Sequence, residues 1–410
     1  MSFALLYPIL FISLYFEVFL FVTYFEKRGV IKREKISATL KSYPSVTIIV
    51  PCYNEEKTVL KTITSLLALE YPKEKLSILV VDDGSTDRTS EVVTSLSKEQ
   101  CIRVIRKENG GKYTALNEGL LETTSDIVGC LDADSFVEKN ALEHIIPYFE
   151  NTLVMAVVPS IVVDRPQNVL QMVQHIEYYW GIFLRKALSY LGALYVTPGP
   201  FTLFRRGVFA RLGNYVEGHK TEDLEFALRM QKNGYIIVNA HNAHVHTVSP
   251  RTFRGLYVQR VRWTYGFLKN VLDYKDMFFK KEYGHLGILV LPMATATIFT
   301  ALYAMGMTLW ILGEHIVTAI DRIATVVFSF SFESFRIDWF YFNIDGVLLV
   351  SVVLSLLTIM LVLLGKKLTE GNMRLSPGIF YFFFIYPLIA PLWLAKAVYN
   401  VVLSRTVVWK

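Results

Sequence analysis

The chain has 410 residues, 53% of them hydrophobic and only 19% charged, with a mean hydropathy of +0.37. That is too apolar for a purely soluble enzyme and calls for membrane spans. The net charge of +6 is modest and its basic residues lie beside apolar segments, which fits a bilayer surface and argues against nucleic acid as a partner.

The length allows about two or three domains. Phe3 to Tyr24 is an apolar run broken only by Glu17, long enough for one span, so residues 1–25 are read as an N-terminal transmembrane helix. The charges follow it, at Glu26-Lys27-Arg28 and Lys32-Arg33-Glu34-Lys35, which is the reverse of a cleaved signal peptide and marks residues 26–43 as a basic cytosolic linker. The segment 44–275 then alternates strand-like and helix-like stretches. Val46 to Val50 reads as a buried strand, and Asn54 is placed to cap a helix from Glu55 to about Leu69. A second strand, Leu76 to Val81, ends in Asp82-Asp83-Gly84-Ser85, and a helix to about Ser97 and a strand Ile102 to Ile105 follow. Asn109-Gly110-Gly111-Lys112 opens a helix through Leu121, and Asp126 to Leu131 leads into Asp132-Ala133-Asp134. This alternation predicts a parallel sheet with helices on both faces and a ligand crevice beyond the strands' carboxyl ends, where Asp83, Lys112 and Asp134 fall. Asp132 and Asp134, one residue apart at a strand end, would point to opposite sides of the chain. Carboxylates beside a buried strand are costly alone, and a hard cation such as Mg²⁺ or Mn²⁺ shared with phosphate oxygens is their natural partner.

Met155 to Val163 is another β-like run. Val169 to Leu191 is amphipathic at helical spacing and fits either a core helix or one lying on the bilayer. Thr197-Pro198-Gly199-Pro200 turns into a strand, and Thr221-Glu222-Asp223 opens a helix that Gly234 stops. His241, His244 and His246 lie on a β-like run; 244 and 246 share a face, and strand-end histidines are preferred over a metal ligand joining Asp134. In the helix Arg251 to Asp273, Gln259, Arg262 and Trp263 are spaced to share one face. Cys52, Cys101 and Cys130 lack metal-ligand spacing and read as buried reduced thiols. Three spans, about Leu286 to Leu312, Val347 to Leu364 and Ile379 to Leu403, make residues 286–410 a C-terminal transmembrane region. The aromatic part of the connection between the first two, Phe328 to Phe342, is expected to be interfacial or re-entrant. Lys366, Lys367 and Arg374 put the last connection on the cytosolic side.

Six of these stretches, taken in order, resemble the membrane-embedded family 2 glycosyltransferases, a group that includes cellulose, chitin, hyaluronan and poly-N-acetylglucosamine synthases. They are Pro51-Cys-Tyr-Asn-Glu55, Asp82-Asp-Gly-Ser85, Asn109-Gly-Gly-Lys112, Asp132-Ala-Asp134, Thr221-Glu-Asp223 and Gln259-Arg-Val-Arg-Trp263. The arrangement of one span before the core and three after is similar to that of the smaller chitin-oligosaccharide synthases. The resemblance implies a GT-A (Rossmann-like) α/β domain, a helical membrane region of about four spans with amphipathic interfacial helices, and an inverting mechanism. By matching position, Tyr53, Glu55 and Asp83 would hold base and ribose, with Lys112 near the donor. Asp132 would contact ribose and diphosphate, and Asp134 would bind Mn²⁺ or Mg²⁺. Asp223 would be the general base, Gln259 and Arg262 would grip the diphosphate, and Trp263, with Thr221 and Glu222, would meet the acceptor. Thr197 to Pro200 falls where the family's backbone lines the acceptor channel, although its wording differs. The implied protein is a multi-pass plasma-membrane enzyme with a cytoplasmic catalytic domain. It would add sugar from UDP-GlcNAc or UDP-Glc to a growing β-linked polysaccharide and thread the product outward. Two alternatives are transfer of one sugar to a lipid such as a polyprenyl phosphate, and a catalytically silent sugar-binding subunit; the intact acidic motifs oppose the latter.

Overall fold

A computed structural model describes residues 6–35, 42–96, 101–325 and 346–406. The aromatic connection Phe328 to Phe342 lies outside them. The chain begins with an apolar helix, α1 (Leu6–Glu26), followed at the basic linker by α2 (Arg28–Lys35). The α/β domain then runs β1 (Val46–Cys52), α3 (Val59–Leu67), β2 (Leu76–Asp82), α4 (Thr89–Leu96), β3 (Ile102–Arg106), α5 (Lys112–Leu121) and β4 (Ile127–Cys130). It continues through β5 (Ser135–Val137), α6 (Ala141–Ile145), β6 (Val154–Val163), α7 (Val169–Tyr190), β7 (Leu203–Arg205), α8 (Gly207–Leu212), α9 (Glu222–Lys232), β8 (Ile236–Thr247) and α10 (Phe253–Asp273). Three long helices close the chain: α11 (Leu291–Thr325), α12 (Gly346–Glu370) and α13 (Pro377–Val402).

The sheet has eight strands in the order β3-β2-β1-β4-β7-β6-β8-β5. Its first half is parallel, as the βα alternation predicts, and the direction of strand succession reverses at β1, which pairs with β2 on one side and β4 on the other. The second half corrects the all-parallel expectation: β7 runs antiparallel to both β4 and β6, and β5 antiparallel to β8. The reason is connectivity. The loop 193–202 brings the chain back beside β4 from the opposite end, so β7 cannot run with it. Cys52, Asp82 and Arg106 end β1, β2 and β3 in matched register. The chain therefore leaves these strands along one edge, where a ligand crevice forms in open sheets.

Two local expectations are also corrected. Asn54 does not cap α3, which starts at Val59 after Thr58. Asn54 instead takes a left-handed backbone (φ 57°), and its Oδ1 accepts from the Thr86 amide at 2.8 Å, so it ties two strand-end loops together. Cys52 and Cys130 are buried free thiols as expected, but Cys101, just before β3, is only half-buried.

Among the described residues, four helices are long and apolar enough to cross a membrane: Tyr7–Glu26, Leu286–Asp321, Gly346–Glu370 and Pro377–Val402. The second outruns its expected end at Leu312, because Gly313 is carried within the helix and its neighbours are good helix formers. α1 and α12 lie side by side and parallel: Gly346 faces the ring of Tyr7, and Thr358 Oγ1 donates to Glu17 Oε1 at 2.8 Å. α7 joins sheet and spans. One face packs on β6 and β8, another on α1, α12 and α13, and the buried side chains form one continuous cluster from Val128 and Val158 in the sheet to Leu361 and Ile379 in the spans. A Cβ on Gly365 of α12 would lie 1.9 Å from the Tyr179 carbonyl oxygen, so only glycine allows α12 to approach α7 this closely.

Candidate active site

A cavity of 1790 Å³ opens at the carboxyl edge of the parallel half-sheet. All twelve residues singled out from the sequence line it: Tyr53, Glu55, Asp83, Lys112, Asp132, Asp134, Thr221, Glu222, Asp223, Gln259, Arg262 and Trp263. They come from six separate segments, and the strand ends and two helices bring them together.

At the parallel-strand end, Asp83 follows β2 and is buried. Its carboxylate accepts from Lys107 Nζ at 2.7 Å and from the Gly110 and Gly111 amides at 3.1 and 2.8 Å, so it fixes the glycine loop that opens α5. Tyr53 stands at the mouth with 41% exposure, and Glu55 Oε2 accepts from Thr58 Oγ1. Lys112, the first residue of α5, reaches Asp132 Oδ1 at 2.5 Å and Glu222 Oε1 at 3.3 Å. Burial alone would pull the Lys112 pKa down, but Asp132, Glu222 and Asp223 outweigh it and hold the ammonium well above its ordinary value.

The paired aspartates face the same cavity rather than opposite sides. β4 ends at Cys130, and a turn in which the Ser135 amide donates to the Asp132 carbonyl at 3.0 Å breaks the strand alternation between them. Burial, then the charges of Asp132 and Glu55, push the Asp134 pKa up to about 7. Gly199 lies against this group: a Cβ there would fall 2.5 Å from Lys112 Nζ and 2.7 Å from Asp132 Oδ1. The Thr197–Pro200 turn thus brings bare backbone to the site, and Pro198, Gly199 and Pro200 line it.

On the far wall, Asp223 sits in the first turn of α9. Its Oδ1 accepts from the Leu224 amide at 2.8 Å, and its carbonyl accepts from Thr197 Oγ1 at 2.8 Å. Burial, then the neighbouring Glu222 charge, raise its pKa to about 6, with Lys112 and Arg262 opposing. The loop before it is unusual: Gly218, His219 and Lys220 all have positive φ, and His219 and Lys220 are not glycine. Three contacts from α10 hold that loop. Asn270 Nδ2 donates to the Gly218 carbonyl at 2.9 Å and to Thr221 Oγ1 at 3.0 Å, and Arg262 Nη1 donates to the Lys220 carbonyl at 3.0 Å. The Thr221 hydroxyl is thereby committed within the loop, donating to the Gly218 carbonyl at 2.9 Å. Gln259 Oε1 is buried on the cavity wall with no hydrogen-bond partner among the described residues. Trp263 is 37% exposed, with the Arg260 guanidinium 4.2 Å from its ring centre.

Sequence reasoning passed over Arg260. It is buried, pairs with Glu177 of α7 at 2.7 Å, and Glu177 in turn accepts from Tyr386 of α13 at 3.1 Å. Its place one residue after Gln259 was the available signal. His244 and His246 turn to Glu138, each at 3.3 Å, rather than to Asp134. Those two hydrogen bonds hold the Glu138 pKa down to about 2.

Acidic, amide and guanidinium groups thus surround one strand-end cleft. Residues 47–213 match the glycosyl transferase family 2 model. The chain is 32% identical over 269 residues to poly-beta-1,6-N-acetyl-D-glucosamine synthases of Staphylococcus epidermidis and Staphylococcus aureus. Each match covers 65% of this chain and 65% of the relative, so the chain spans about 65% of the length of the curated relatives it matches. A solved mannosyltransferase from Pyrobaculum calidifontis, in complex with GDP-Man and Mn²⁺, shares the fold over 97% of this chain and 99% of its own, with a TM-score of 0.56 and 20% identity. Residues 47–213 thus resemble the family 2 glycosyl transferases, the fold is shared with a solved glycosyltransferase, and four candidate membrane spans accompany it among the described residues.

Proposed function

We propose that this protein is an inverting membrane glycosyltransferase that moves a sugar from a nucleotide donor to the hydroxyl of a growing β-linked polysaccharide. The observation that carries this reading is the single cavity in which Asp223 faces both the Lys112–Asp132–Asp134 group and the Gln259–Arg262–Trp263 face of α10. The similarity to N-acetylglucosamine polymer synthases favours UDP-GlcNAc over UDP-Glc as donor.

Tyr53, Glu55 and Asp83 border the place for base and ribose, and Asp132 and Lys112 the place for ribose and diphosphate. A divalent cation fits beside Asp134: the buried carboxyl is crowded by two others, and positive charge relieves that crowding. Among the described residues no three His, Cys, Asp or Glu side chains converge as ligands, so donor phosphate oxygens would complete the shell. Bound there, Mn²⁺ or Mg²⁺ supplies Lewis-acid stabilisation of the departing diphosphate. Gln259 and Arg262 add neutral and charged donors to the same oxygens, Arg262 from a guanidinium whose Nη1 also holds the Lys220 carbonyl. Asp223 takes the proton from the acceptor hydroxyl as that oxygen attacks the anomeric carbon. Its raised pKa makes it a stronger base than an exposed aspartate while leaving it ionised at neutral pH. Trp263 offers an apolar face to the acceptor pyranose, with Thr221 and Glu222 behind it. The attack breaks the bond to the nucleoside diphosphate in one displacement, so an α-linked donor gives a β-linked product. The catalytic domain is placed in the cytoplasm and the spans in the plasma membrane, as the basic residues at Lys27, Arg28, Lys366 and Lys367 favour.

A second reading, one sugar transferred to a lipid-borne acceptor, is favoured by the cavity's extension among Glu17, Thr358 and Phe382 of the spans. The test is incubation of the reconstituted protein with a panel of radiolabelled nucleotide sugars and Mn²⁺ or Mg²⁺. A ladder or high polymer cut by a linkage-specific hydrolase is expected. A single organic-extractable product would establish the second reading, and no transfer from any donor would overturn both.

A further inference from the structure

Arg185, on α7, lines the same cavity on the side of the spans. Its Nε and Nη2 are shielded from solvent and meet no hydrogen-bond partner among the described residues. Two other guanidinium groups of the domain are paired: Arg260 with Glu177 and Arg229 with Glu225, each at 2.7 Å. The ionisable groups that act on Arg185 are the phenols of Tyr178 and Tyr195, with no carboxylate among them. Burial pulls its pKa down to about 10, which leaves it a cation at neutral pH. An enclosed cation without a counter-charge is costly, so its retention at a cavity wall points to an anionic ligand.

The surroundings narrow that ligand. Gly181, one turn earlier, puts no side chain over the head group; a Cβ there would lie 3.4 Å from Arg185 Nη1. Trp180, Leu184, Leu188 and Leu194 make the neighbouring wall apolar. Tyr195 is two residues from Thr197, whose hydroxyl holds the Asp223 carbonyl, so this wall leads to the helix end that carries the base. We propose that Arg185 is an oxyanion subsite in the acceptor arm of the cavity, and that it takes the phosphate of a lipid-borne acceptor. The guanidinium fork matches two phosphate oxygens, and the apolar wall accommodates the first part of the tail. A saccharide that grows while carried on a lipid phosphate satisfies this site and the polymer chemistry together. The inference rests on the glycosyl-transfer reading for the word acceptor, though not for the anion site itself.

The test is binding without turnover. Full-length protein in nanodiscs is titrated with farnesyl phosphate, farnesol and inorganic phosphate, and the fluorescence of its tryptophans, Trp180 and Trp263 among them, is followed. UDP binding is measured in parallel. Wild-type protein is expected to bind farnesyl phosphate at least tenfold more tightly than farnesol. Arg185→Gln should lose that preference, Arg185→Lys should keep part of it, and both should bind UDP as wild type does. Equal binding of farnesyl phosphate and farnesol, or an unchanged preference in Arg185→Gln, overturns the proposal. Inorganic phosphate competing as well as farnesyl phosphate overturns the lipid source. Loss of UDP binding in wild type would strike the glycosyltransferase reading instead.

Discussion

As the proposed general base, Asp223 carries the strongest chemical demand in the cavity. A base must be ionised to act, and burial beside Glu222 lifts this carboxyl to about 6. Below that pH it is protonated and idle, so turnover at saturating donor is expected to rise as pH climbs through about 6 and then level off. A pH profile already flat from pH 4.5 upward would remove Asp223 from the role. Asp223→Asn should lower turnover by about 10² to 10⁴, the usual contribution of a positioned base, while UDP binding measured by calorimetry stays within a few-fold of wild type. That the site residues gather at one cavity was legible in the sequence, because the acidic stretches fall at strand ends and helix starts along the chain and the Gln-x-x-Arg-Trp stretch on one helix face. Asp132 and Asp134 show where such reading stops. Strand alternation set them on opposite sides, yet the turn after Cys130 puts both on one, and nothing in four residues of sequence announces a turn made by a backbone bond. Arg185 was passed over for another reason: one basic residue in an amphipathic helix looks like any other until its neighbours are known.

At the scale of elements, α10 does two jobs. Its first half presents Gln259, Arg262 and Trp263 to the cavity, and its second half holds the left-handed Gly218–Lys220 loop through Asn270. Residues in that backbone region cost of order 1–3 kcal/mol each and persist only when the surroundings impose them. Asn270→Ala is therefore expected to lower turnover about tenfold with little change in donor affinity, since the loop precedes the proposed base Asp223 and is separate from the residues proposed to hold base and ribose. Asn270→Asp, which retains two acceptors but no donor, should not rescue it. Equal turnover in Asn270→Ala and wild type, measured on protein with an unchanged melting midpoint, would separate the loop from catalysis. Gly365 tests a second junction. Its Cβ would fall 1.9 Å from the Tyr179 carbonyl, so Gly365→Val must force α12 away from α7. Overpacking of this kind costs about 1–3 kcal/mol, read as a lowered melting midpoint in detergent. The positions of helices and strands were well anticipated by periodicity, but the antiparallel insertion of β7 was not. Three residues between two turns carry too little pattern to state a direction.

For the whole molecule, the salient feature is that sheet and spans share one apolar cluster, with α7 in both. A catalytic domain merely tethered to a membrane would unfold apart from its anchor. Here a single cooperative transition is expected when unfolding in detergent is followed both by Trp fluorescence and by circular dichroism. Two separated transitions would show that the junction across α7 contributes little. The same continuity extends to the cavity, which passes from the strand ends to Thr358 on α12. Thr358→Trp should fill that arm and suppress long products while donor hydrolysis persists.

The pairing of α1 with α12 also sets a schedule for biogenesis. Glu17 and Thr358 are bonded across 341 positions of chain. During synthesis α1 must wait in the bilayer, its polar side chain without that partner, until α12 has left the ribosome some 341 residues later. The strand-end cleft can assemble earlier from nearby strands, whereas the wall formed with the spans cannot close before α12 arrives. Contacts so distant in sequence close late and slowly. A nascent chain stopped before residue 346 would thus have its donor-side strands in place and its membrane-side wall still open, a condition under which insertion factors would have the longest time to act.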